Sequence, residues 1–165
     1  MSEEKSDPVL REYFDKEKTN FERLCGNIQE ALKIFLDENN IDYLAITGRV
    51  KAFESFADKC VRKKYSDPFV ENEDFVGIRV IVYFPDDVDK VCKIIDEEFD
   101  IVRTENKTEQ LAVDKFGYRS HHKIVTVKQS WARSPNYRTV GQIKAEIQVR
   151  TILMHAWAEV EHKLQ

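Results

Sequence analysis

Gln142–Gln165, QIKAEIQVRTILMHAWAEVEHKLQ, is the stretch whose reading decides the fold. Ile143, Ala145, Ile147 and Val149 alternate with Lys144, Glu146, Gln148 and Arg150, the two-residue period of a strand with one face in a core. The opposite face carries an ammonium, a carboxylate, an amide and a guanidinium in one row, more chemistry than a solvated strand face needs. Thr151 then reads as a helix N-cap, and Leu153, Trp157, Val160 and Leu164 follow at helical spacing, with His155, Glu159 and His162 on the other side. The sequence thus predicts a strand running straight into an amphipathic helix. The two histidines have no third partner at metal-ligand spacing and read as helix-surface residues that order the polar row.

Working outward, Gly77–Phe84 (GIRVIVYF) is apolar on both faces and predicts an interior strand. Arg79 is its anomaly, because a guanidinium inside a sheet must pair with a buried acid or lie against a ligand. Asp74 stands at the entry of that strand. Pro85-Asp86 opens a helix with Val88, Val91, Cys92, Ile95 and Phe99 inside. Arg49–Lys64 also reads as a helix, with Val50, Phe53, Phe56, Ala57, Cys60 and Val61 on its apolar side. There Lys51, Ser55, Lys59 and Arg62 share a narrow arc, the donors a polyphosphate would require. A solvated basic face explains the same pattern. Residues 8–38 predict one or two helices, with Gly26 as a candidate break, and Asn39–Thr47, Ile101–Thr104 and the residues up to Val127 predict strands. Gln129–Val140 reads as a hairpin loop. The order implies one domain over residues 1–165, α+β in class, with a mixed sheet of about five strands flanked by helices.

With 165 residues and 42% hydrophobic side chains the chain can fill one core. Its net charge of −4 does not suggest a general nucleic-acid or membrane binder, so an anionic ligand must be held by a local basic cluster. Cys25, Cys60 and Cys92 are scattered in apolar helical patterns and read as buried thiols of a reducing compartment. A charged N-terminus and the lack of a membrane-length apolar run predict a cytoplasmic protein. Neither a P-loop nor a Gly-x-Gly-x-x-Gly turn occurs, which disfavours the common nucleotide folds. Asp74 and Glu146, one at a strand entry and one in the polar row, are the carboxylates that could hold Mg²⁺ with substrate phosphates, or divide metal binding and proton transfer between them. Tyr118, between a glycine and a strand, offers a ring for stacking on a base.

Four ordered motifs now carry a family resemblance. They are Gly48-Arg49-Val50-Lys51 with Ser55, Lys59 and Arg62; Asp74-Phe75-Val76-Gly77-Ile78-Arg79; Gly117-Tyr118-Arg119-Ser120-His121-His122; and Glu146–Thr151 with Met154-His155-Ala156-Trp157 and Glu161-His162. Together they resemble the RelA/SpoT synthetase domain. The resemblance implies a nucleotidyltransferase-like sheet and transfer of the ATP β,γ-pyrophosphate to the 3′-hydroxyl of GTP or GDP, giving (p)ppGpp and AMP. It implies Arg49 and Arg79 as the pair flanking the adenine, and Lys51, Ser55, Lys59 and Arg62 as contacts to the ATP phosphates. Asp74 would be a Mg²⁺ ligand and Tyr118 the stacking partner of the acceptor base, with His122 near the acceptor ribose or phosphates. Glu146 would be a second Mg²⁺ ligand and the base for the 3′-hydroxyl, supported by Gln148 and Arg150.

Two departures stand out. His121 occupies a position that is more often aliphatic in that family. The chain also ends soon after Glu161-His162, whereas small stand-alone members continue into C-terminal helices that assemble them, so a longer parent protein and a homo-oligomer both remain compatible with the sequence. Two rivals share the motifs. One is a toxic relative that pyrophosphorylates adenosine nucleotides or the 3′ end of tRNA, with Arg119, Lys123, Lys128, Arg133 and Arg138 as a basic path. The other is a non-catalytic nucleotide-binding module, against which the presence of both Asp74 and Glu146 counts.

Overall fold

Five strands form one mixed sheet in the computed structural model, which describes residues 7–108 and 119–165. The elements are α1 (Pro8–Glu38), β1 (Tyr43–Val50), α2 (Phe53–Lys63), α3 (Pro68–Glu71), β2 (Val76–Val82), α4 (Pro85–Glu98), β3 (Phe99–Thr108), β4 (Arg119–Val127), α5 (Gln129–Ala132), β5 (Ala145–Thr151) and α6 (Ile152–Leu164). The order across the sheet is β1-β2-β5-β4-β3. Only β2 and β5 run parallel; the other neighbours are antiparallel. The stretch 145–151 is thus the central strand, paired on both sides.

One face of the sheet is the core. Ile46, Val76, Ile78, Val80, Val82, Val125, Ala145, Ile147 and Val149 pack there with Leu24, Ile28 and Leu32 of α1 and Val88, Val91 and Ile95 of α4. α1 is a single helix of 31 residues, capped by the Asp7 side chain on Val9 N–H, with Pro8 in its first turn. Gly26 does not break it. A lone helical glycine costs about 1 kcal/mol, and the buried Leu24, Cys25 and Ile28 around Gly26 outweigh that.

Phe14 and Phe21 of α1, Phe53 and Phe56 of α2, and Phe75 form an aromatic cluster at one end of the sheet, with Phe21 and Phe75 stacked at 4.6 Å. Each buried Phe contributes roughly 1.5–3 kcal/mol. The cluster anchors Phe75, the residue after Asp74, against Phe21 of α1 and Phe56 of α2.

Two expectations from periodicity are corrected. Arg49 and Val50 belong to β1 and not to a helix, because their backbones pair with Gly77 and Val76 and the ladder is extended by Lys51 N–H to the Phe75 carbonyl at 2.8 Å. The helix begins only at Phe53. In α6 the apolar stripe is outward: Leu153 is 63% exposed, Trp157 49%, Val160 52% and Leu164 84%. The helix instead turns Met154 and His155 toward β5 and β2, and its start is the Thr151 cap, whose hydroxyl accepts from Met154 N–H at 3.3 Å.

Candidate active site

The second face of the sheet carries the charged row, and strand register aligns it. Arg49, Gly77, Glu146, Ile124 and Arg103 lie opposite one another across β1, β2, β5, β4 and β3. The next row holds Thr47, Arg79, Gln148, His122 and Glu105. In the middle of this face Gly77 contributes no side chain, and Arg49 crosses the gap: an added Cβ at Gly77 would stand 3.8 Å from Arg49 Cγ. A small cavity of about 110 Å³ sits there, lined by Arg49, Lys51, Asp74, Arg79, Glu146 and Gln148 among others. Beside it a cavity of about 630 Å³ shares Lys51, Asp74, Glu146 and Gln148 and adds Lys59, Arg62 and Arg103.

Asp74 is the electrostatic centre. Lys51 Nζ donates to one of its oxygens at 2.9 Å and Lys59 Nζ to the other at 2.7 Å. Burial alone would push the Asp74 carboxyl up, but the hydrogen bonds from Lys59 and Lys51 and their charges prevail and hold it below the ordinary value. The arc drawn on a helical wheel is therefore half right: Lys51 sits before α2 and Lys59 on it, yet both reach one carboxylate. Arg62 lines the larger cavity, while Ser55 is exposed on α2 and lines neither.

Glu146 Oε1 accepts from His122, whose Nδ1 is 2.7 Å away. Arg150, buried one row further along, donates to Gln148 Oε1 at 3.0 Å. Arg79 and Arg49 are diagonal neighbours on adjacent strands. Desolvation, and then the charge of Arg49, depress the Arg79 guanidinium, which meets Glu159 of α6 at 3.8 Å. Glu159 is more than half exposed and Arg79 Nε has no hydrogen-bond partner among the described residues, so this contact answers the strand arginine only in part. His121 points to the opposite face from His122, with Asn106 of β3 at 2.9 Å, so the departure at that position does not enter the charged row. Tyr118 lies outside the described residues.

Sequence reasoning missed Arg103, Glu73 and Glu105. Arg103 of β3 reaches Glu73 at 2.7 Å and Glu105 at 3.3 Å along the wall of the larger cavity. An exposed Arg-x-Glu on an edge strand carries no signal, and only register could have placed it. Of the basic residues suggested for RNA, Lys123 is 5% exposed and bound to Asp96 at 2.6 Å. Among the described residues no group of three His, Cys, Asp or Glu side chains could by itself hold a metal ion. Asp74 and Glu146 line the same two cavities, each carboxylate engaged by basic side chains.

Fold and site define a class: a mixed α+β domain whose second sheet face gathers two acids among cations. Residues 48–165 match the model described as the region found in RelA/SpoT proteins, and the chain belongs to that family. It is 33% identical over 121 residues to the GTP pyrophosphokinase YwaC of Bacillus subtilis, covering 71% of this chain and 55% of that protein. Its identity to the GTP pyrophosphokinase YjbM of the same organism is 29% over 129 residues, covering 78% and 58%. The chain thus spans little more than half the length of these curated relatives. The crystal structure of small alarmone synthetase 2 from B. subtilis superimposes with a TM-score of 0.68 at 29% identity, covering 92% of this chain and 79% of that one.

Proposed function

We propose that this domain transfers the β,γ-pyrophosphoryl group of ATP to the 3′-hydroxyl of GTP or GDP, giving (p)ppGpp and AMP. The observation that carries the reading is the pair of lysines, Lys51 and Lys59, clamped on Asp74 in a cavity that Glu146 also lines. Family membership and the names of the two relatives support the reaction class.

In this reading Arg49 and Arg79 flank the adenine, since guanidinium planes stack on aromatic rings and tolerate desolvation better than an ammonium. Lys51, Lys59 and Arg62 bind the phosphates, with Ser55 at their outer end. The 3′-oxygen forms a bond to the β-phosphorus, the bond from that phosphorus to the bridging oxygen breaks, and AMP leaves with the bridging oxygen. The 3′-hydroxyl proton goes to Glu146. His122, Gln148 and Arg150 orient Glu146 and the acceptor, and Tyr118 stacks on the acceptor base. The work of the protein is positioning and charge neutralisation.

The donor set suits Mg²⁺, which is held through one or two carboxylates together with phosphate oxygens and water. Asp74 and Glu146 would hold it, and when bound it supplies positive charge to the phosphates. No helix among the described residues is long and apolar enough to cross a membrane, and we place the activity in the cytoplasm. The test is incubation with ATP labelled on its terminal phosphate and, separately, GDP, GTP, ADP and tRNA. Label in a guanosine product is expected. Label confined to an adenosine product or RNA would reassign the acceptor, and absence of transfer to any of them would overturn the reading.

A further inference from the structure

Ser120 has no role in the reaction outlined above, yet it stands at the end of a part-buried hydrogen-bond chain that terminates on the base. Ser120 and His122 are two residues apart on β4 and share the charged face. The His122 ring is engaged at both nitrogens: Nδ1 is 2.7 Å from Glu146 Oε1, and Nε2 is 3.0 Å from Ser120 Oγ. The ring is also buried, with 8% of the residue exposed. An ionised carboxylate can only accept, so Nδ1 must carry the hydrogen that faces Glu146. In a neutral imidazole Nε2 is then a bare acceptor, and a buried acceptor without a donor is destabilising. The Ser120 hydroxyl is the donor within reach. A ring held at both nitrogens has one orientation; held at one, it can turn about its χ2 bond and swing Nδ1 off the carboxylate.

We propose that Ser120 is a positioning residue that fixes the orientation of His122 and, through it, the Glu146 carboxylate. This rests on Glu146 being the base of the proposed transfer, but the hydrogen-bond role is measurable without turnover. A blander reading is that the hydroxyl satisfies a buried nitrogen and nothing more. The two readings separate in kinetics, because loss of base positioning lowers kcat and leaves KM for both nucleotides unchanged, whereas general loosening moves stability and KM together.

The experiment combines proton NMR of the imidazole N–H region with steady-state kinetics for wild type, Ser120→Ala and Ser120→Thr. Wild type is expected to show a sharp downfield Nδ1–H resonance from His122, assigned by its loss in His122→Gln. Ser120→Ala is expected to broaden or remove that resonance and to lower kcat about tenfold, within the range found when groups that orient active-site ligands are removed. Ser120→Thr, which keeps the hydroxyl, is expected to restore both. Persistence of the resonance in Ser120→Ala overturns the proposal, as does a wild-type kcat in that variant or a loss of kcat that comes only with lowered Tm and raised KM. If wild type transfers nothing to any acceptor while the resonance still depends on Ser120, the reading of the reaction fails and the hold of Ser120 on His122 stands.

Discussion

Glu146 shows how much a single side chain can be read from its neighbours in sequence. The alternation around it put it on the polar face of a strand, and the structure pairs that strand on both sides with β2 and β4. What alternation could not supply was its partner, because His122 lies on another strand and reaches Glu146 only through the antiparallel register of β4 with β5. Glu146→Gln keeps an oxygen that can accept from His122 while removing charge and basicity. We expect kcat to fall by about 10²–10⁴-fold, the span of general-base contributions, with ATP affinity changed less than about threefold. Rapid-quench turnover and equilibrium binding of ATP check this; wild-type turnover in the variant would remove Glu146 from the chemistry.

At the scale of elements, the approach of α1 to β1 hinges on Gly48. A Cβ there would lie 2.5 Å from Cys25 Sγ and 2.6 Å from Gln29 Oε1. Gln29 is long enough to move aside, but Cys25 is short and buried on α1, so the helix itself must shift. Gly48→Ala is expected to cost about 1–3 kcal/mol, as overpacking does, and to lower Tm by several degrees in calorimetry. Adding Cys25→Ala should recover part of the loss, and strict additivity of the two changes would show that the clash is not the cause. The element most misread from sequence was α6. Its period was clear, but periodicity tells which residues share a face and not which face meets the protein.

That orientation of α6 sets His155 beside Arg150 and Arg79. Desolvation first, then those two positive charges, push its imidazole down from the ordinary histidine value, with Glu159 opposing. The sign follows from linkage: below about pH 6.5 the unfolded chain takes up this proton while the folded chain resists it. The stabilising contribution is therefore present above that pH and lost as pH falls toward the depressed folded value. Urea midpoints measured at pH 7 and pH 5.5 should drop more for wild type than for His155→Gln; equal drops would mean that His155 stays neutral in neither state or in both.

For the molecule as a whole, the proposed function asks a chain of net charge −4 to admit a polyanion. Its cleft cations are largely committed to acids: Lys51 and Lys59 to Asp74, Arg103 to Glu73 and Glu105, Arg79 to Glu159. Sequence patterning singled out Lys51, Lys59, Arg79 and Asp74 in separate stretches and missed Arg103, Glu73 and Glu105. It could not foretell their mutual pairing, which depends on the aromatic cluster bringing α2 against the residue before Phe75. On the proposed function, a phosphate entering this cleft would compete with Asp74 for Lys51 and Lys59, which both hold that carboxylate. Two unit charges about 4 Å apart near a protein surface interact by roughly 4 kcal/mol, so the competing carboxylate is a large opposing effect when no metal shields it. Asp74→Asn should therefore have opposite effects in two conditions. In EDTA the variant should bind ATP about tenfold more tightly than wild type, because the lysines are no longer held by a carboxylate and the phosphates no longer face one. With Mg²⁺ present wild type should tighten and the variant should not, so their order reverses. Isothermal titration in both buffers, on variants whose Tm shows them folded, decides it: an Asp74→Asn protein that binds ATP no better than wild type in EDTA would mean that the lysine clamp does not compete with the phosphates.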